Sequence, residues 1–392
     1  MEAFFRTHKY LIEHMEVPVR RLLMDEIDWE QRLIGIKGSR GVGKTTFLLD
    51  YARRNFGTDR SCLYVNLNNF YFTGQTLVNF ADKFRMNGGK TLLIDQIFKY
   101  PNWSKELRYC YDNFKDLKIV FTGSSIMRLK EENPDLAGCV DSYILRGFSL
   151  REFINLTAGT DLKHYKLDDI LKNHKQIVND ILKVVKPFTY FQDYLHHGYY
   201  PFFLEKKNYS ENLLKTINIT LEIDILLLKQ IELSYLPKIR KLLYLLASNE
   251  PAAPNISQLS LDIQTSRATV MNYIKYLKDA RMLNILYPKD ENFPKKPSKV
   301  YLQNTNLMYA FWPALVSEQA VRETFFYNSL IRDHKVNKGE KNAQFLIDGE
   351  HNFCIVNKDH KIKRKDGTYF AVDALDKGDE DKIPLWLFGF LY

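Results

Sequence analysis

Gly38-Ser-Arg-Gly-Val-Gly-Lys-Thr45 fills every position of GxxxxGK[ST]. It lies between a short apolar run, Arg32-Leu-Ile-Gly-Ile-Lys37, and a helical pattern, Thr45-Thr-Phe-Leu-Leu-Asp-Tyr-Ala52. A strand that turns through glycines into a helix points successive backbone N–H groups at one spot, and the helix N-terminus adds a favourable dipole for an anion. Gly38, Ser39, Arg40, Gly41, Val42, Gly43, Lys44, Thr45 and Thr46 are therefore the expected cradle for a phosphate chain. Lys44 is expected to reach the outer phosphates, and Thr45 to offer its hydroxyl to Mg²⁺. The cofactor set implied is ATP or GTP with Mg²⁺.

Outward from this loop, apolar runs recur at Cys62–Leu67, Thr91–Asp95, Lys118–Gly123 and Ser142–Arg146. Near-continuous apolar strands separated by helix-length segments predict a parallel sheet covered on both faces. Residues 1–30 read as a helical lead-in carrying Arg20 and Arg21. Lys90-Thr-Leu-Leu-Ile-Asp95 ends a strand in a carboxylate, which such a sheet brings to the same edge as the phosphate loop. Asp95 is thus the second expected Mg²⁺ holder, acting through water.

Position 96 departs from the usual chemistry. ATPases of this construction commonly follow the strand-terminal Asp with Glu, whose carboxylate polarises the attacking water. Here the residue is Gln96, and an amide hydrogen-bonds water without accepting its proton. Two readings follow: a naturally slow or silent ATPase, or an active motor carrying a hydrolysis-blocking change. On the next strand, Thr122, Ser124 and Ser125 are candidate γ-phosphate sensors or, equally, hydroxyl caps of a following helix.

Leu93-Ile-Asp-Gln-Ile-Phe-Lys-Tyr-Pro-Asn-Trp-Ser104, Phe121-Thr-Gly-Ser-Ser125 and Gly147-Phe-Ser-Leu-Arg-Glu-Phe153 resemble an AAA-type ATPase family common in bacteria and archaea. His197-Gly-Tyr-Tyr-Pro-Phe-Phe203 and Ile383–Tyr392 extend the resemblance toward the C-terminus. The resemblance implies ATP rather than GTP, a frequent association with DNA, and a C-terminal domain resembling restriction-endonuclease-like folds. Asp135-Leu-Ala-Gly-Cys-Val140 corresponds to a stretch where relatives carry arginines; Gly138 and Cys139 stand there instead. An arginine finger is worth ~10³-fold or more in rate, so this loss and Gln96 together point to weak hydrolysis. Arg128, Arg146 and Arg151 are the nearby substitutes. Fingers act across subunits, which implies a homo-oligomer.

The whole fold class expected is α/β: a P-loop parallel-sheet ATPase domain over 1–158, then a helical connection over 159–235. A winged-helix candidate follows over 236–302, and a small α+β nuclease-like domain over 303–392. The winged helix is read from three helices (Pro237–Leu246, Ile256–Ile263, Ser266–Ala280) and two strands, Met282–Tyr287 and Lys299–Leu302. In a DNA-bound state Ser266, Arg267, Thr269, Asn272, Tyr273 and Lys275 would face the groove, and Lys295, Lys296 and Lys299 the phosphates. In the C-terminal module Glu323, Gln344, Cys354 and Lys358 fall at the helix-acid, Asp, Glu and Lys positions of a metal-dependent nuclease. Two of three carboxylates are thus replaced by poor Mg²⁺ ligands, and nuclease activity is not expected. Lys358–Lys365 is either a solvated hairpin or a phosphate-binding edge.

Composition agrees with these readings. The chain has 392 residues, 45% of them hydrophobic, and a net charge of +9. That allows large cores and several domains, excludes a disordered chain and favours an acidic partner. Four scattered cysteines form no CxxC pair, so neither a disulfide framework nor a zinc site is expected. With no secretory pattern and no apolar run of ~18 residues, the expected location is cytoplasmic, away from membranes. A DNA-independent protein-interaction switch is the remaining alternative.

Overall fold

The computed structural model describes residues 1–17, 19–205, 208–311, 316–359 and 367–392. The chain divides into two compact units, Met1–Gly147 and Phe148–Tyr392.

The first unit is built on five parallel strands: β1 (Leu33–Gly38), β2 (Cys62–Asn66), β3 (Thr91–Asp95), β4 (Lys118–Ser124) and β5 (Asp141–Ile144). Their spatial order is β2-β3-β4-β1-β5. The apolar runs form strands because both faces are covered, and Ile34, Ile36, Leu92, Leu93, Ile94, Val120 and Phe121 are all fully buried. Parallel neighbours need crossovers, supplied by the helices Lys44–Asn55, Leu77–Met86 and Trp103–Asn113. Leu77–Met86 starts at Thr76, whose hydroxyl accepts the Asn79 N–H at 3.1 Å. The order inserts β4 between β1 and β3, so three strand tips converge behind the phosphate loop.

The helical lead-in is a helix at Glu2–His14 followed by one turn at Leu23–Glu26. The first of these seats on the edge strand β2, where the buried His8 accepts the Tyr64 N–H through Nδ1 at 3.0 Å. An edge strand leaves backbone donors unpaired, and His8 satisfies one of them.

The second unit opens with the helix Leu150–Ala158, closed by a reciprocal capping box. Ser149 Oγ accepts the Glu152 N–H at 3.1 Å, and Glu152 Oε2 accepts the Ser149 N–H at 3.2 Å. A long helix, Leu167–Val184, follows. Farther on come three helices, Leu236–Ala247, Ile256–Asp262 and Arg267–Asp279, then the antiparallel pair β6 (Leu283–Leu286) and β7 (Lys299–Leu302). Ser266 caps the third helix by accepting the Thr269 N–H at 3.1 Å.

Beyond the helix Glu318–Leu330 lie β8 (Val336–Lys338), β9 (Phe345–Ile347), β10 (His351–Asn357), β11 (Thr368–Asp373) and β12 (Lys382–Pro384). They stand side by side in the order β12-β11-β10-β9-β8. The first three are antiparallel, whereas β10, β11 and β12 are parallel. Phe326 joins the helix to this sheet, with ring centroids 5.0 Å from Phe353 and 4.8 Å from Phe388. The apolar C-terminal stretch forms a buried 3₁₀ helix, Leu385–Phe390, and Arg151 Nε donates to the Tyr392 carbonyl at 3.0 Å. Among the described residues no helix is long and apolar enough to cross a membrane.

Two predictions follow from the first unit. Burial holds the His8 pKa below its ordinary 6.5, so unfolded chains take up a proton that the native one refuses. Native stability should therefore fall as the pH drops through 6.5 toward the lower native value. His8→Asn keeps an acceptor without a titrating ring, so the variant should gain relative to wild type between pH 7.5 and 5.5. Equal differences in unfolding midpoint at both pH values would refute this. Separately, a Cβ at Gly38 would stand 2.3 Å from the Leu145 carbonyl oxygen. Gly38→Ala must push the loop from β5's exit and should lower stability by about 1–3 kcal/mol in denaturant titrations.

Candidate nucleotide-binding site

The loop between β1 and the helix Lys44–Asn55 has the shape the motif requires. Gly43 is left-handed at φ 92°, which only glycine adopts without strain. Gly38 leaves no space for a side chain against Leu145. Lys44 Nζ donates to the carbonyls of Gly38 and Ser39, at 2.8 Å each, so its ammonium sits over the loop it belongs to. Ser39 is buried, Thr46 is exposed, and Arg40 lies 5.8 Å from the centroid of the Phe98 ring.

Sequence reasoning named Arg21 in the lead-in but gave it no role. Its guanidinium donates to the carbonyls of Val42 (3.1 Å), Arg146 (2.6 Å) and Gly147 (3.1 Å), so one side chain from the lead-in ties the phosphate loop to the chain leaving β5. A single arginine outside any motif carries no signal of this in the sequence.

Asp95 is 1% exposed at the tip of β3. Its Oδ2 accepts the Thr45 hydroxyl at 2.6 Å and the Tyr64 hydroxyl at 2.9 Å. Its Oδ1 accepts the Thr122 hydroxyl and, at 3.0 Å, the Gln96 N–H. The strand order brings about this convergence, with Tyr64 on β2, Thr122 on β4 and Thr45 on the first turn after the loop. Tyr64 was not anticipated. Its hydroxyl is pushed to a higher pKa, first by burial and then by the Asp95 charge, which keeps it a donor.

Gln96 holds a left-handed backbone conformation, φ 57° and ψ 41°. Its N–H is shared between Asp95 and Thr122 Oγ1, the latter at 3.2 Å. Its side-chain oxygen accepts the Asn68 amide at 2.8 Å. Ser124 is buried, and its hydroxyl accepts the Ile126 N–H at 3.5 Å, the turn-capping arrangement.

These residues fit a nucleotide and Mg²⁺. The glycines clear a backbone cradle, Lys44 supplies a cation above it, and Thr45 and Asp95 bring two oxygens together at 2.6 Å. The stretch expected to carry a finger does not supply one. Gly138 is left-handed at φ 72°, and the Cys139 thiol is buried against the Leu136 carbonyl at 3.3 Å. Of the substitutes, Arg146 is buried, and Arg151 is buried with bonds to Leu162 and Tyr392. Arg128 is exposed.

In the second unit, Arg267, Asn272, Lys295 and Lys296 are exposed. Lys275 Nζ lies 4.6 Å from the centroid of the Phe293 ring, which ties the third helix to the β6–β7 connection. Of the other expected DNA-facing residues, one is buried and one is paired within the fold. Tyr273 is buried, because it falls on the apolar face with Val270, Ile274 and Leu277. Lys299 is half-buried, and its ammonium pairs with the buried Glu323 at 3.2 Å.

Glu323 itself also accepts the Tyr301 hydroxyl at 2.7 Å and the Gln319 amide at 3.1 Å. Gln344 bonds the Ile355 backbone, its Oε1 accepting the Ile355 N–H at 3.2 Å. Just after β9, Asp348 pairs with His334 at 2.6 Å. Among the described residues no three His, Cys, Asp or Glu side chains are grouped to hold a metal. Within the basic run Lys358–Lys365, residues 360–365 lie outside the described residues; Lys358 is exposed.

Residues 30–154 match the family described as "AAA domain", and residues 189–319 match a "Domain of unknown function (DUF8612)". The uncharacterized protein MJ1637 of Methanocaldococcus jannaschii is 26% identical over 321 residues, 78% of this chain and 67% of that protein. Similar solved structures include AMPPCP-bound DnaA from Aquifex aeolicus, 15% identical with a TM-score of 0.24, covering 70% of this chain and 86% of that one. C. elegans PCH-2 is 16% identical with a TM-score of 0.21; the similarity covers 36% of this chain and 40% of that one. The first unit, with its phosphate loop and five-stranded parallel sheet, is an AAA-type ATPase domain.

Proposed function

We propose that this chain is an ATP-binding switch that acts on DNA and hydrolyses ATP weakly as written. The observation that carries the reading is the pairing of an intact Thr45–Asp95 contact with an amide, Gln96, on the next residue. Backbone N–H groups of Gly41–Thr45 and the Lys44 ammonium would hold the phosphates. Thr45 and Asp95 would hold Mg²⁺, which when bound spreads the negative charge of the phosphates. Gln96 can orient a water through its amide and cannot take the water's proton. ATP then serves as a conformational or assembly signal, in a homo-oligomer in which the exposed Arg128 is the candidate finger.

The reading of DNA as partner rests on the second unit. Three helices followed by the β6–β7 hairpin support a winged helix over 236–302. Arg267 and Asn272 would read the groove, and Lys295 and Lys296 would meet phosphates from the wing, while the net charge of +9 favours a polyanion. We read residues 303–392 as a degenerate nuclease-like module. The helix bearing Glu323, the antiparallel β8–β9–β10 and the parallel β11 support that fold. Its acidic position is neutralised by Lys299, so no metal-dependent cleavage is proposed.

Two measurements test these readings. Wild type and Gln96→Glu should both bind ATP, and Glu should raise turnover by about 10²-fold or more, within the range of a restored general base. The test is run with and without duplex DNA; no gain under either condition would sink the claim that Gln96 limits hydrolysis. Lys295→Gln/Lys296→Gln should weaken duplex binding and flatten the log K against log salt slope by about 2. An unchanged slope would remove the wing from the interface.

A further inference from the structure

The Asp95 carboxylate has room for about four hydrogen bonds, two on each oxygen, and all four are made. Oδ1 takes Thr122 and the Gln96 N–H, and Oδ2 takes Thr45 and Tyr64. Two of these donors are not alike in their obligations. Thr45 belongs to the phosphate loop, and its oxygen is the one expected to turn toward a cation. Tyr64 belongs to β2 and has no such second task. It is the one donor on Oδ2 that can stay in place when Thr45 changes partner.

Tyr64 is itself firmly held. It is 6% exposed, and its strand pairs with β3 in register, Tyr64 beside Leu93 and Asn66 beside Asp95. On its other side β2 is a sheet edge, where the Tyr64 N–H would be unpaired. The buried His8 takes that N–H at 3.0 Å. A path of two hydrogen bonds therefore runs from the N-terminal helix, through Tyr64, to the carboxylate at the phosphate loop.

We infer that Tyr64 is a positioning residue for the Mg²⁺ site: its hydroxyl fixes the Asp95 carboxylate for the cation, and the helix Glu2–His14 fixes Tyr64 through His8. This rests on the reading of Thr45 and Asp95 as the Mg²⁺ holders. Hydrogen bonds to a ligating carboxylate commonly govern metal affinity by 10- to 100-fold. An apolar residue at position 64 would fill the same space in β2 without reaching Asp95, so the hydroxyl is the part with a site-specific role.

The test uses the full chain with Tyr64→Phe, which keeps the ring and removes the donor. ATP affinity is measured by calorimetry in EDTA and across a Mg²⁺ series. The ratio of affinity with Mg²⁺ to affinity without it should fall about 10-fold, and the half-saturating Mg²⁺ concentration should rise. Mn²⁺ binding, followed by electron paramagnetic resonance in the presence of ADP, should weaken in parallel. If Tyr64 only packs the sheet, affinities with and without Mg²⁺ will drop together and the ratio will hold; that result overturns the inference. A wild-type chain that binds ATP with no Mg²⁺ dependence would instead overturn the Thr45–Asp95 reading beneath it. Should Tyr64→Phe lower the thermal midpoint, the ratio is read below the transition, where the two outcomes remain distinct.

Discussion

A carboxylate buried to 1% at the tip of a central strand is the constraint around which the first unit is arranged. Taking an ion out of water costs several kcal/mol even after relaxation, and the charge persists only where hydrogen bonds replace the water. Asp95 receives four such bonds, from two strands other than its own, from the phosphate loop's helix and from the next backbone amide. No local segment could supply them. The order β2-β3-β4-β1-β5 is what sets Tyr64, Thr122 and Thr45 around one carboxyl group, so the topology and the site are one requirement.

The same arrangement explains how position 96 keeps its geometry with an amide side chain. Gln96 sits in the left-handed region, where a non-glycine residue costs on the order of 1–2 kcal/mol. That conformation turns its N–H back onto Asp95 and Thr122 and sends its side chain to Asn68. The backbone is thus held by groups that do not depend on whether the side chain ends in an amide or a carboxylate. Changing Glu to Gln at such a position removes the proton acceptor and leaves the frame.

What the sequence made legible follows from the range of each interaction. The phosphate loop, the five strands and Asp95 were readable because each rests on a run of neighbours: glycines in series, or apolar residues in a doubly covered sheet. Thr122 could be picked out because it ends such a run, but its bond to Asp95 could not. Tyr64, His8 and Arg21 were not, since each acts on a residue at least 20 positions away and looks locally like ordinary strand, helix or surface. Tyr273 was misassigned because a tyrosine on a helix with Arg267, Asn272 and Lys275 passes for a polar-face residue. Its spacing from Val270 and Leu277 is what puts it inside. The pairing of Lys299 was not legible because its partner, Glu323, lies 24 residues on.

Asp95 and Glu323 make the final contrast. Both are buried carboxylates with several donors. The donors to Asp95 are three hydroxyls and an amide, all neutral. Glu323 takes a hydroxyl, an amide and the Lys299 ammonium, so its charge is cancelled within the fold. A cation approaching Asp95 would meet two oxygens, those of Thr45 and Asp95, already held 2.6 Å apart. One approaching Glu323 must first displace Lys299, which would leave a separated ion where a pair had been. The two acidic positions therefore differ in their donors: those on Asp95 are neutral, whereas Glu323 is paired with an ammonium.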